Sequence, residues 1–278
     1  MIVLTFPQVK DAASLRRILQ EPYWSPHSAK WSNAYENYAK VGGDPWRLAP
    51  AGFNKEESEK QHDLFKNRSR RGGPLGRIRS MAGLKCCPMC GSPMTGTLDH
   101  YLPKEEYPEF SIYSRNLVPA CSACNSGSKR QTYKGAATPE RFLHPYFDAL
   151  ASKPIWKVSV RPPFTAPGFV AEALSSLNST ERQQVEFHLK HILGEQFQLF
   201  VERNFAELPQ RLRDVTEGEA ILDFAGAEMG LRRLLRDEIT TGSVNCWAAA
   251  LFRGVLEDAR LIVHLMDKAN ALQVTPIA

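Results

Sequence analysis

The residue types that can do chemistry are concentrated between positions 87 and 129. This segment holds two C-x-x-C pairs, an Asp–His dipeptide between them and an asparagine after the second pair: Cys87 and Cys90, Asp99 and His100, Cys121 and Cys124, and Asn125. Thiolates bind soft or borderline cations, carboxylate and amide oxygens bind hard ones, and an imidazole exchanges protons near neutral pH. The order and spacing predict a structural metal beside a site for metal-assisted acid–base chemistry.

The four paired cysteines predict a structural zinc ion. Two intervening residues let both thiolates of a tight turn reach one tetrahedral ion, at ~2.3 Å from each sulfur. The gap between the pairs exceeds the ~15–20 residues of a simple zinc ribbon, so the Asp–His segment is an insert between two knuckles. A pair of disulfides is the alternative, but disulfides are rare in the cytosol and the opening residues lack the basic flank of a secretory signal. Cys86 could replace Cys87, although the spacing favours Cys87, and Cys246 fits a buried core position.

Asp99 and His100 are the candidates for the reactive groups, on a short strand predicted over residues 98–102. Hydrolysis of a phosphodiester needs a cation near the phosphoryl oxygens and a base that takes a proton from the attacking water. The Asn125 amide oxygen could complete a cation site with Asp99, while Asn116 could bind loop backbone and hold His100. An isolated Asp–His dipeptide is usually an ordinary surface pair, and the flanking knuckles are what favour the catalytic interpretation.

Residues 85–131 resemble the HNH nucleases, which have the ββα-metal fold. The family pattern is C-x-x-C, a D-H strand, N-L-x-x-x-C-x-x-C and a final His or Asn, so the signature positions here are His100, Asn116 and Asn125. The resemblance implies that His100 is the general base, that Asp99 and Asn125 hold a catalytic Mg²⁺ or Mn²⁺, and that Asn116 orients the loop. It also implies a non-catalytic zinc on the four cysteines and products with a 5′-phosphate and a 3′-hydroxyl. A third protein ligand is not visible in the motif. His144 is the nearest candidate, although a packed histidine fits its context better.

A basic run leads into the first knuckle. Residues 66–85 include seven lysines and arginines and no acidic residue, and glycines interrupt the run, which predicts a flexible arm. Such an arm would neutralise backbone phosphates without reading sequence. The predicted nucleic-acid contacts are Arg68, Arg70, Arg71, Arg77 and Arg79, with Lys104, Lys129 and Arg130 extending the same surface. A solvated linker is the alternative interpretation of the run.

The flanking regions are predicted from apolar periodicity. Helical spacing occurs over residues 11–20 and 28–39, and alternation predicts paired strands over 155–160 and 169–174. Three long amphipathic helices are predicted after Asn178: one that continues to residue 201, one over 216–239 and one over 243–269. The fold class is therefore α+β, with a helical region ending in the basic arm (1–80), a zinc-braced HNH segment (81–150), and a short β element with a helical bundle (151–278).

Composition narrows the class of protein. The 278 residues are 43% hydrophobic and 23% charged with a net charge of +5, which is typical of a soluble globular protein with a slight preference for polyanions. No apolar run is long enough for a membrane span, and we expect a cytoplasmic protein with reduced cysteines.

The sequence predicts a metal-dependent endonuclease that cuts DNA in preference to RNA. The layout is also similar, more loosely, to the HNH partners of Septu-type and retron antiphage systems, which implies a regulatory ATPase partner docked on the helical tail. The competing interpretation is a non-catalytic zinc module that binds nucleic acid or a protein partner. Such a module has no need of Asp99, His100 and Asn125 together.

Overall fold

The chain alternates groups of helices with two short strand pairs. A computed structural model describes residues 1–81, 83–129, 131–216 and 221–272. The strands are β1 (Thr97–His100), β2 (Leu117–Ala120), β3 (Trp156–Arg161) and β4 (Gly168–Ala173). The helices are α1 (Asp11–Ile18), α2 (Ser28–Val41), α3 (Lys55–Arg68), α4 (Ser179–Ile192), α5 (Glu195–Val215), α6 (Phe224–Thr241), α7 (Trp247–Leu256) and α8 (Ala259–Ala271). The prediction of a mixed helix-and-sheet fold is confirmed.

Three α-helices precede the first strand pair in the part of the chain that the structure describes. The helices predicted over residues 11–20 and 28–39 correspond to α1 and α2, and Trp31 and Tyr38 on α2 are fully buried. Helix α3 was not predicted individually, although its N-cap Asn54 and Glu57 form a capping box in the structure. The basic run begins inside the last turn of α3 and continues through a 3₁₀ helix, Gly76–Ser80. Because Leu75 and Ile78 are buried, this segment is anchored rather than a free arm.

Strands β1 and β2 form an antiparallel pair that is followed by a helical turn. Asp99 lies opposite Val118 and His100 lies opposite Leu117, and β2 is buried along its whole length. The turn, Ala123–Ser128, is π-helical instead of a regular α-helix. The wide turn closes with a hydrogen bond from the Lys129 amide to the Cys124 carbonyl, at 3.3 Å. The order of these elements along the chain is therefore strand, strand, π-helical turn.

The predicted pairing of the second two strands, β3 and β4, is confirmed, and the structure shows that the pair is antiparallel. Trp156, Val158 and Val160 of β3 are buried, as their alternation with Lys157 and Ser159 indicates. Helix α7 lies directly against β3: a Cβ placed on Gly254 would stand 1.8 Å from the Val158 carbonyl oxygen. Only glycine permits this approach of helix and strand.

The described residues after 178 form five α-helices where three helices were predicted. The first predicted helix divides at Gly194, whose extended backbone is the N-cap of α5. The third divides at Asp258, whose side chain accepts a hydrogen bond from the Arg260 amide and so begins α8. Helix α6 begins at Phe224 after its cap Asp223, and residues 217–220 lie outside the described part of the chain. Gly194 and Asp258 thus interrupt helices that the apolar periodicity alone predicts to be continuous.

One apolar core connects the three predicted segments. It includes Trp31 from the first, Phe110 from the second, and Trp156 and Phe252 from the third. None of the helices in the described ranges is long and apolar enough to cross a membrane.

Candidate metal centre and active site

The four predicted zinc ligands converge on one point. The sulfur atoms of Cys87, Cys90, Cys121 and Cys124 all lie within 4.8 Å of one another, and all four residues are buried and free of disulfides. The Sγ–Sγ distances are 3.9 Å for Cys87 and Cys124 and 3.7 Å for Cys90 and Cys121. Ligands at ~2.3 Å on a tetrahedral zinc would be ~3.8 Å apart. The cluster therefore has the chemistry and the spacing to bind a structural metal such as zinc.

Backbone amides also point at these sulfur atoms. The amides of Cys121, Cys124 and Ser92 donate to the sulfurs of Cys87, Cys121 and Cys90, at 3.3, 3.4 and 3.4 Å. Hydrogen bonds from Cys121 and Cys124 hold the pKa of Cys87 well below its ordinary value, whereas burial raises the pKa of Cys90. Four buried thiols cannot all ionise without a compensating cation. A zinc ion is the charge that would allow all four to bind as thiolates.

The remaining two cysteines do not belong to this cluster. Cys86, the predicted alternative to Cys87, turns away and its sulfur lies 3.4 Å from the Ser243 hydroxyl. Cys246 is buried next to Cys86, as its predicted core position requires. The x-x spacing therefore identified the correct cysteine of the Cys86–Cys87 pair.

Helices from the C-terminal region hold the first knuckle. The Trp247 indole donates to the Cys90 carbonyl at 2.7 Å, and His188 Nε2 donates to the Met89 carbonyl at 2.7 Å. Gly91 closes the knuckle with φ near +84°, and a Cβ there would stand 2.4 Å from the Asn245 carbonyl oxygen. His188 and Trp247 are distant from the motif in sequence, and only tertiary packing brings them to it.

His100 is buried on β1 with one ring nitrogen fixed. Its Nε2 lies 3.0 Å from the Ser111 carbonyl oxygen, which can only accept, so Nε2 carries the proton and Nδ1 carries the lone pair. Burial lowers the pKa of His100 to about 3. The imidazole is therefore neutral at physiological pH, which is the form that accepts a proton. The Phe65 ring packs edge-on against it, with ring centres 4.5 Å apart.

Asn116 ties the loop after β1 to the start of β2. Its Oδ1 accepts from the Leu102 amide at 2.8 Å, and its Nδ2 donates to the carbonyls of Leu102 and Phe110, at 3.0 and 3.4 Å. The Tyr38 hydroxyl donates a further bond to Oδ1 at 3.0 Å. Asn116 thus makes the backbone hydrogen bonds that the sequence predicted for it. The loop that it holds also contains Ser111, whose carbonyl fixes His100.

His144 lies behind Asn116 and is a packed residue. Its Nδ1 accepts from the Tyr146 amide, so its Nε2 donates to the Tyr38 hydroxyl at 2.9 Å. The ring is fully buried and stacks on Tyr101 with ring centres 4.0 Å apart. Both nitrogens are engaged, which removes His144 as a third ligand for a catalytic metal.

Asp99 points away from His100, towards the π-helical turn. Successive strand residues face opposite sides, and here Asp99 meets Lys129 while His100 meets Ser111. Burial raises the pKa of the Asp99 carboxyl, and the Lys129 ammonium opposes this rise. Asn125 contacts the same strand, where its Nδ2 donates to the Leu98 carbonyl at 3.4 Å.

Lys129 is not part of the surface to which it was assigned. Its side chain is 1% exposed, its Nζ lies 3.1 Å from Asp99 Oδ2, and it donates to the His100 carbonyl at 2.7 Å. The prediction that Lys129 extends a phosphate-binding surface is therefore wrong. A lysine next to a basic run gives no sequence signal that it is buried, because its burial depends on the turn that carries it.

The side chains predicted to bind a catalytic cation, Asp99 and Asn125, fit a hard cation in chemistry but less well in charge. A carboxylate from Asp99 and an amide oxygen from Asn125 are the donors that Mg²⁺ prefers. The Lys129 ammonium already compensates the single carboxylate. Any divalent ion at this position would have to coexist with that positive charge.

Part of the basic run forms a groove beside β1. The groove has a volume of about 890 Å³ and is bounded by Phe65, whose ring also contacts His100, and by Thr95 and Gly96 just before β1. Its basic lining residues are Lys66, Arg70, Arg71 and Arg79. The groove is thus a positively charged surface next to the candidate base.

The other predicted nucleic-acid contacts lie elsewhere. Arg68 lines a separate cleft with Arg17 and Lys10, and Arg77 is exposed outside the groove lining. Lys104 is paired with Glu105 at 2.6 Å, which reduces its attraction for phosphate. Arg130 lies outside the described residues.

The fold and the site together define an α+β protein with a four-cysteine cluster that could bind a structural metal. Comparison with known proteins adds a partial relationship. The chain is 44% identical over 63 residues to Protein ea31 of Escherichia phage lambda, a match that covers 22% of this chain and 21% of that protein. The chain thus spans about a fifth of the length of the curated relative it matches. No family model and no solved structure matches it.

Proposed function

We propose that this protein is a metal-assisted endonuclease of the HNH type that hydrolyses phosphodiester bonds in DNA. One arrangement carries the proposal: His100 has its Nε2–H fixed by the Ser111 carbonyl, on a strand pair that the cysteine cluster closes. The fixed tautomer leaves Nδ1 as the nitrogen that can accept a proton, which is one requirement for a general base. The pKa of about 3 makes His100 a weak base in this buried state.

Each motif residue has a separate task in this proposal. His100 takes the proton of the attacking water at Nδ1, and Asn116 keeps the loop that orients it closed. Asp99 and Asn125 supply oxygen donors for a divalent ion, which when bound would stabilise charge on the phosphoryl and leaving oxygens. The zinc-type cluster has no chemical step, and it holds Asn125 next to β1 through the adjacent Cys124.

The basic groove supports a polyanionic substrate. Arg70, Arg71 and Arg79 face a depression that runs to Phe65, and Phe65 contacts His100. A phosphate backbone in this groove would lie next to the candidate base. Contacts of this kind attract any nucleic acid without reading its sequence.

A plasmid-cleavage assay tests the proposal. Zinc-loaded protein with Mg²⁺ or Mn²⁺ should nick supercoiled DNA, and His100→Ala should lower the rate by ~10²–10⁴-fold while zinc content and DNA binding are retained. Asp99→Ala should also be impaired, and more Mn²⁺ should restore part of its activity but none of that of His100→Ala. His191→Ala, which changes a partly exposed histidine on α4, is the matched control. Wild-type cleavage rates in His100→Ala would refute the assignment.

A non-catalytic zinc module that binds nucleic acid is the second candidate. The observation that favours it is the charge balance at Asp99, where Lys129 occupies the carboxylate that a divalent ion would need. Such a module would bind DNA through the groove and leave plasmid intact at every Mg²⁺ or Mn²⁺ concentration. The same assay therefore separates the two functions.

A further inference from the structure

Lys129 is a buried lysine held by two groups of the candidate site. Its ammonium lies 3.1 Å from Asp99 Oδ2 and donates to the His100 carbonyl oxygen at 2.7 Å. The Phe142 ring lies 6.0 Å from the same nitrogen, and the side chain is 1% exposed. A buried carboxylate and a buried ammonium at this distance form a pair in which each compensates the charge of the other.

The π-helical turn explains how Lys129 reaches Asp99. The Lys129 amide bonds to the carbonyl of Cys124, five residues earlier, so the turn is wider than an α-helix. This turn starts beside the cysteine cluster and brings two side chains back to β1. Asn125 bonds to the Leu98 carbonyl and Lys129 bonds to the His100 carbonyl, on either side of Asp99.

A divalent cation at Asp99 would compete with this ammonium. The carboxylate would be the one negative charge among the motif oxygens that the proposed ion uses, and Lys129 already neutralises it. Two like charges a few ångströms apart in a buried site repel strongly. Binding of the ion therefore requires either that the ammonium moves away from Oδ2 or that the ion is held weakly.

We propose that Lys129 is an internal counter-ion that competes with a divalent cation for Asp99, so that the cation binds only when Lys129 leaves the carboxylate. This inference rests on the proposed function, because it assigns Asp99 as a ligand. It makes Lys129 a positioning residue that sets the affinity of the metal site and touches no substrate atom.

Replacement of the charge tests the competition directly. Lys129→Met keeps an unbranched side chain of similar size and removes the ammonium, so zinc-loaded protein should bind Mn²⁺ about tenfold more tightly or better. Binding can be followed by the electron paramagnetic resonance signal of free Mn²⁺. Lys134→Met, which removes a partly buried lysine that packs on Trp46, is the matched control and should bind as wild type does. The double variant Asp99→Asn with Lys129→Met should lose the gain.

The wild-type protein gives a second test that no folding defect can affect. Lys129 should resist acetylation by an N-hydroxysuccinimide ester without Mn²⁺ and become reactive as Mn²⁺ is added, with Lys153 as an exposed reference in the same digest. Continued protection of Lys129 at saturating Mn²⁺ would overturn the inference, as would equal Mn²⁺ affinity in folded Lys129→Met and wild type. Either result would leave the proposed nuclease function intact. Failure of both proteins to bind Mn²⁺ would remove the inference together with the metal-assisted chemistry.

Discussion

Both the oxygen and the nitrogen of the buried Asn116 side-chain amide are hydrogen-bonded. The oxygen accepts two hydrogen bonds and the nitrogen donates two, and three of the four partners are backbone groups of the loop between β1 and β2. The fourth partner, the Tyr38 hydroxyl, is in turn bonded to His144. The orientation of His100 depends on this loop, so one amide connects the stability of the core to the geometry of the candidate base.

Truncation of this amide should therefore be costly. We expect Asn116→Ala to reduce the free energy of unfolding by about 2–4 kcal/mol, because it leaves buried amide and carbonyl groups of Leu102 without partners. Tyr38→Phe removes the hydroxyl that bonds Asn116 Oδ1 and His144 Nε2 but leaves the loop bonds of Asn116, and should cost about 1–2 kcal/mol. Urea unfolding of the zinc-loaded proteins measures both, with the exposed Asn33→Ala as control. Equal stabilities of Asn116→Ala and wild type would contradict the role of the amide.

At the scale of single residues, the sequence was informative where chemistry restricts the choice. Cysteine spacing identified the four clustered thiols. The HNH-like motif identified Asn116 as the residue whose side chain forms hydrogen bonds with the loop backbone. Lys129 was misassigned because a lysine in a basic context is normally exposed. Its burial follows from a wide helical turn that has no local sequence signal.

The basic groove is formed largely by one element, the segment between α3 and the first knuckle. The Arg79 guanidinium donates to the Ser69 carbonyl, and buried Leu75 and Ile78 hold the backbone between them. The cations are thus presented by an ordered segment. A fixed array of positive charges binds phosphates with less loss of conformational entropy than a flexible arm does.

Removal of the groove cations should change how DNA binding depends on salt. We expect the triple change Arg70→Gln, Arg71→Gln and Arg79→Gln to lower the log–log salt slope by ~0.9 for each lost phosphate contact on duplex DNA. A matched triple replaces exposed arginines on α5, α6 and α8 with glutamine: Arg203, Arg232 and Arg260. Fluorescence anisotropy with labelled duplex at several salt concentrations gives the slopes. Identical slopes for the two triples would show that the groove does not bind the backbone.

Element boundaries were predictable where a local cap exists. Asn178 and Glu181 form the capping box from which the start of α4 was predicted. The alternation of apolar and polar residues predicted β3. The division at Gly194 was missed because apolar periodicity continues across it. The break depends on how α4 and α5 pack, which a single-helix pattern does not contain.

For the molecule as a whole, the cysteine cluster should be a condition of folding. Cys87→Ser removes a ligand, and we expect loss of bound zinc and a large fall in the melting temperature. Cys86→Ser alters the adjacent buried cysteine outside the cluster and should keep full zinc content. Metal analysis and thermal unfolding of the two variants provide the comparison. Zinc retained at wild-type level in Cys87→Ser would rule out the predicted site.

Three buried neutral histidines should make the whole fold sensitive to acid. Burial lowers the pKa of His188 to about 4 and those of His100 and His144 to about 3, from an ordinary value of 6.5. Below pH 6.5 the unfolded chain takes up protons that the folded chain does not, so stability is highest above this pH and falls as the pH drops towards 4. Each histidine contributes a slope of about 1.4 kcal/mol per pH unit.

Urea unfolding between pH 8 and pH 5, with zinc in excess, measures this dependence. His188→Gln should reduce the slope by about one histidine's share. His191→Gln, on the same helix but partly exposed, should change it little. Stability that is flat or rises as the pH falls would contradict the assignment of neutral buried rings.

The support of the first knuckle by distant helices limits how the protein can be divided. Carbonyl groups of Pro88, Met89 and Cys90 accept hydrogen bonds from Ile2, His188 and Trp247, none of which belongs to residues 81–150. A protein made of that segment alone would contain every motif residue. It would leave these carbonyls without donors and expose the apolar residues that the missing helices cover. The motif segment is therefore not expected to fold alone: fusion proteins, truncated chains or grafts need α4 and α7 in addition to the residues that a motif search would select.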